Sequence, residues 1–190
     1  MEFRLTYEGE LPANGSLKDK QRLRRAFHPQ LQILWNQLPL KEIRNSGTPL
    51  GAPVGPEVSM KTLAFNCPPF NFLPLVSREL NLIAELDVLF LRPQEPGSLL
   101  RHGGDIDNRI KTLLDSLRMP SSPAEFPSGD MPGPEEDPLY CLLEDDALVT
   151  KVGISTDRWL KPTGLREVFM VIHVRIRGVR VTWHNIGIIG

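Results

Sequence analysis

This chain of 190 residues is poor in three things, and each scarcity removes an option. It has no apolar run near the roughly 20 residues that a helical membrane span needs, so no spanning helix is expected. It has two cysteines, Cys67 and Cys141, in no metal-binding spacing. That excludes a cysteine-built zinc site or a disulfide framework, and the pair reads as reduced packing residues, with a disulfide as the lesser option. Its first residues also lack leader features: "MEFRLTYEGE" has neither the basic start nor the apolar run of a signal peptide, so no leader is expected and the expected location is the cytosol.

Excess positive charge is missing too. The net charge is −1, which at first sight speaks against nucleic acid. The distribution reverses that impression. Residues 119–138, "MPSSPAEFPSGDMPGPEEDP", hold no Lys or Arg and five acids: Glu125, Asp130, Glu135, Glu136 and Asp137. Without that segment 22 basic residues stand against 18 acidic ones, a net +4. Phosphate binding responds to such local clusters more than to the whole-chain sum.

What is present reads as one α+β domain over residues 1–190. Phe3, Leu5 and Tyr7 alternate as a strand. Ser16 is a candidate N-cap for a helix over 17–38, with an apolar stripe of Leu23, Phe27, Leu31, Leu34 and Leu38. Residues 45–58 read as a loop. The proline-broken stretch 60–78 allows at most short or edge strands. Residues 80–92 form the clearest strand, and 93–104 a loop. Ile106, Ile110, Leu113, Leu114 and Leu117 give a core-facing stripe for a helix over 106–118. The Pro/Gly/Ser-rich insertion at 119–138 reads as exposed and mobile. A short apolar element, an acidic turn and two strands finish the chain. The order implies a mixed or antiparallel sheet packed with two main helices.

The chemistry-bearing stretch is "GGDIDNRIKTLLDSL" at 103–117. Two carboxylates one residue apart repel unless something binds between them. In an extended segment that spacing puts both side chains on one side, whereas a helix puts them about 200° apart. The expectation is therefore Asp105 in an extended lead-in and Asp107 at the helix cap, facing one point where a hard divalent cation offsets their repulsion. Lys111 follows one turn later on the same polar face. Far along the chain, "LYCLLEDDALV" supplies Asp145 and Asp146, one or both of which would complete a Mg²⁺ site. The plainer readings are a simple N-cap, a surface Asp–Lys pair and a solvated turn. A calcium loop is excluded, because its sixth and twelfth positions hold Ile110 and Ser116 rather than Gly and Glu.

Taken together, "DIDNRIKTLLDSL", an intervening segment and "LLEDDALV" leading into a strand resemble the RusA-type Holliday junction resolvases. The resemblance covers about residues 80–160. It implies a Mg²⁺-dependent endodeoxyribonuclease that acts as a homodimer on four-way DNA junctions. Asp105, Asp107 and Asp146 match its catalytic metal-binding aspartates, Lys111 its catalytic lysine, and Asp145 the neighbouring acid. The insertion departs from the family pattern by about twenty residues, and could cover the site, contact a partner or hang free.

A nuclease must also steer the DNA backbone. Candidates are Lys18, Lys20, Arg22 and Arg25 on the first helix, Arg101, Arg109, and the strand pair Arg175 and Arg177. The plainer reading of the strand pair is a solvated face. His102 could also contact DNA, but reads as incidental. Three other functions stay open: a DNA-structure-binding protein of this fold without cleavage, a structural metal-binding domain, and a nuclease for flaps or forks.

Overall fold

A computed structural model of the chain describes residues 1–46, 63–94, 105–161, 164 and 167–189. The elements are β1 (Glu2–Glu10), α1 (Leu17–Trp35), α2 (Leu40–Ser46), β2 (Phe65–Cys67), β3 (Phe70–Val76), β4 (Leu82–Arg92), α3 (Asp105–Leu117), β5 (Leu139–Leu143), β6 (Val149–Arg158), β7 (Glu167–Gly178) and a final turn of helix, α4 (Ile186–Ile189). The expected α+β class is what the chain adopts, but with two sheets instead of one. Among the described residues no helix is long and apolar enough to cross a membrane.

The larger sheet has the order β1-β7-β4-β6, with β7 antiparallel to both neighbours and β4 parallel to β6. Alternation gives it two faces. Leu5 and Tyr7 of β1, Leu82 to Phe90 at every second position of β4, and Val168 to Ile176 at every second position of β7 are buried. Leu23, Phe27, Leu31 and Trp35 of α1, with Leu113 and Leu117 of α3, close onto that face. Each such side chain contributes about 1.5–3 kcal/mol on full burial. The opposite face carries charge: Arg175 pairs with Asp87 (2.7 Å) and Glu2 (3.4 Å), and Arg177 with Glu85 (3.2 Å).

The smaller sheet has the order β2-β3-β5, with β3 and β5 parallel. All five residues of "LYCLL" are buried, as a strand covered on both faces requires. The proline-broken stretch therefore holds a real strand. β2 reaches only Phe70–Phe72, so at Pro74 the side opposite β5 is open and the missing N–H breaks no ladder bond.

The insertion departs from expectation, because it is tied down instead of mobile. Arg25 on α1 binds Glu136 (2.7 Å), Asp130 (2.9 Å) and the Met131 carbonyl (2.9 Å). Tyr140 N–H donates to Nδ1 of buried His28, which leaves Nε2–H to donate to the Glu135 carbonyl. Phe126 stacks on Phe70 and Phe72 at ring distances of 5.0 and 6.0 Å. Six prolines lower the chain's freedom before folding, so few contacts suffice to hold it.

The first helix also stops earlier than its apolar stripe suggests. Asn36 caps it by returning its N–H to the last carbonyls, and Leu38 is exposed. The cysteines stay free and buried, and burial pushes both thiols up. The 45–58 loop falls almost wholly outside the described residues.

Candidate functional site

Helix α3 carries the first acidic element, and contacts along its length fix it. Arg109, in its N-terminal half, donates to the Leu11 carbonyl, and Thr112 Oγ1, just past the middle, accepts from Gly15 N–H (2.9 Å). Gly15 is required by this close approach, since an added Cβ would stand 2.5 Å from Thr112 Cγ2. In the last turn, Lys20 of α1 pairs with the Asp115 carboxylate at 2.6 Å. At the C-terminal end the buried Arg24 guanidinium donates to the carbonyls of Asp115 (2.7 Å) and Arg118 (3.2 Å). A helix end leaves such carbonyls unpaired, and a cation there also opposes the helix dipole. Burial, with Arg118 nearby, lowers the Arg24 pKa to about 10, so it stays charged at neutral pH.

The expected geometry of the two motif aspartates is corrected in one respect. α3 begins at Asp105, so Asp107 is its third residue and no extended lead-in separates them. Asp105 takes the first helical position in place of Asp107, and the spacing of two then turns the backbone by about 200°. The side chain of Asp105 lies outside the described residues, as do Arg101 and His102. Asp107 and Lys111 are exposed, and neither has a side-chain partner among the described residues. The bland Asp107–Lys111 pair is thus not formed. Lys111 borders a cavity of about 200 Å³ with Asn14, Asn108 and Asp115.

The second acidic element is a single 3-10 turn, Asp146–Leu148, between β5 and β6. It packs against both α3 and β4. Asp145 caps it by accepting from Ala147 N–H at 2.9 Å. Arg78 braces the loop, binding Asp145 (3.0 Å) and Glu144 (2.7 Å). The Ala147 N–H, then Arg78, hold the Asp145 carboxyl below the usual aspartate range. Asp145 is therefore engaged, whereas Asp146 is exposed and is the freer acid. A cavity of about 270 Å³ opens here, bordered by Arg78, Arg118, Ser121 and the three acids. Among the described residues, which exclude the Asp105 side chain and His102, no three His, Cys, Asp or Glu side chains form a metal-sized group.

The proposed DNA-contacting cations divide sharply. Lys18 is exposed and has no partner among the described residues. Lys20 is bound to Asp115, and Arg25 to the insertion. Arg22 bonds the Tyr7 hydroxyl (2.8 Å), the Glu10 carbonyl and Asp19. Arg109 reaches Leu11, while Arg175 and Arg177 belong to the ladder on the open sheet face. Sequence reasoning read Arg24 only as part of the basic cluster of the first helix and did not single out Arg78; their partners stand 91 and 66 residues away and leave no local signal. The chain matches no family model, no curated protein and no solved structure.

Proposed function

We propose that this chain is a Mg²⁺-dependent endodeoxyribonuclease that cleaves branched DNA, four-way junctions in particular, as a homodimer. One observation supports the reading most: the turn bearing Asp145 and Asp146 packs on the helix bearing Asp105, Asp107 and Lys111. The turn meets α3 toward its C-terminal end, where Met119 N–H bonds the Leu143 carbonyl and Arg118 borders the cavity of the acids, and each element is braced by a buried or paired arginine whose role is positional.

The donor chemistry suits the ion, although among the described residues the acids of the two elements form no metal-sized group. Carboxylate oxygens are the hard ligands Mg²⁺ prefers, and exposed carboxylates leave room for phosphate. Asp105, Asp107 and Asp146 would hold it, with Asp145 beside them. When bound, the ion would supply Lewis-acid stabilisation of phosphoryl oxygens. Lys111, an ammonium with no partner among the described residues, would lie against the scissile phosphate and stabilise its developing charge. Asp145, fixed by Arg78, would keep its neighbour Asp146 aimed.

The test is cleavage of an end-labelled four-way junction beside a linear duplex of the same sequence, with Mg²⁺ or EDTA. Paired nicks across the junction are expected. Asp107→Asn and Lys111→Ala should each lower the rate by at least about 100-fold, the scale of one lost charge-stabilising group. Tight junction binding without any Mg²⁺-dependent product would instead establish a non-catalytic DNA-structure-binding protein.

A further inference from the structure

The inference concerns β6, one edge of the larger sheet, and it takes up the homodimer of the reading above and gives it a surface. Among the described residues β6 pairs with β4 alone. Val152 and Ile154 share the sheet's inner face with Leu86 and Val88, yet are 38% and 42% exposed, beyond the cover of the helices. An open edge strand with exposed apolar side chains is a template for another strand.

The direction of its free backbone groups follows from one bond. Trp159 N–H donates to the Arg92 carbonyl, so at residue 159 the chain faces β4. From Lys151 to Arg158 the register against β4 is unbroken. In a parallel ladder alternate residues direct both N–H and C=O to the same side. The odd residues of β6 therefore bond β4, and Val152, Ile154 and Thr156 turn their N–H and C=O to the open edge.

We infer that β6 pairs antiparallel with β6 of a second copy, about a two-fold axis at Ile154. This register sets Ile154 opposite Ile154 and Val152 opposite Thr156, so every outward backbone group of these residues finds a partner. It also sets Lys151 opposite Asp157, and symmetry repeats that ion pair. Centring on Gly153 would match backbone groups equally well, but would leave Lys151 facing Ser155 and Asp157 facing Val149. Charge complementarity selects Ile154. Lys151 already reaches Asp87 of its own chain at 3.3 Å, and its ammonium has donors for a second carboxylate. Asp157 accepts the Arg158 N–H through Oδ1, which leaves Oδ2 for the lysine. The product is one continuous sheet of twice the four strands, with Val152 and Ile154 covered.

The test is sedimentation of the full chain over a range of concentrations, without DNA. A dimer is expected. Lys151→Asp and Asp157→Lys should each weaken it about tenfold, because each turns two attractive cross-strand pairs repulsive. The two changes together should restore it. Ile154→Pro should give a folded monomer whose melting temperature no longer depends on concentration, since the N–H it removes faces away from β4. A monomer at every concentration, or a dimer indifferent to the charge reversals, overturns the inference. Junction cleavage by a dimer that ignores the reversals would overturn the surface alone. A dimer that obeys them but never cleaves supports the surface and overturns only the chemistry.

Discussion

At the scale of residues, the side chains that hold the candidate site in place are not the ones that would do its chemistry. Arg24 is an example. It is buried, yet its partners are two main-chain carbonyls at the end of α3 and the Gln21 amide. Arg24→Met keeps much of the volume and leaves those carbonyls dry. It should lower stability by about 3 kcal/mol in urea unfolding, the cost of stranding buried acceptors. Gly15→Ala tests the middle of the helix. Its methyl would collide with Thr112, and repacking should cost about 1–3 kcal/mol by the same measurement. Asp107, Lys111 and Asp146 could be proposed from the sequence because residue type and local order mark them. The bracing by Arg24 and Arg78 could not, because a long-range hydrogen bond imposes no periodicity on the chain.

At the scale of elements, boundaries were the least legible feature. The stripe of α3 from Ile110 to Leu117 packs on the core as read, but the start was placed at Ile106, and the shift of one residue to Asp105 changes which direction the first carboxylate's backbone takes. Composition misled more seriously at 119–138. Proline and glycine mark an absence of helix and strand, and they say nothing about whether side chains such as Phe126 find a pocket. The clamp on this segment depends on charge. Burial alone would raise the Glu136 pKa, but the Arg25 hydrogen bond and the Gly133 N–H outweigh it and hold the carboxyl below the usual glutamate range. Glu125 is lowered likewise, Ser121 and Arg118 outweighing burial. A carboxylate with a depressed folded pKa stabilises fully above its unfolded value, about 4.3, and loses that contribution as pH falls through the folded value. Protection of 119–138 from proteolysis should therefore be flat from neutral pH to about 5 and fall below about pH 4.

At the scale of the whole molecule, the fold class followed from the alternation of strand and helix patterns, while the split into two sheets did not, because nothing local says which strand a strand will pair with. The charge map is the second lesson of this scale. Cationic residues that cluster in sequence proved to be spent largely on the chain's own acids, which limits how many phosphates they can neutralise. Lys18→Ala should reduce the slope of log affinity against log salt for junction DNA by about 1, as loss of one phosphate contact does. Arg25→Ala should instead lower the melting temperature and leave that slope nearly unchanged. One further consequence lies in how the insertion is closed off. Met119 N–H bonds the Leu143 carbonyl, and Arg118 bridges Leu143, so the end of α3 is latched to the end of β5 whatever lies between. The tip, Ser128 and Gly129, is exposed. A backbone cut there would divide the sequence into two lengths of chain without dividing the particle: β7, from the second length, lies between β1 and β4 of the first. Residues 1–128 and 129–190, expressed as separate polypeptides, should co-purify as a single folded body.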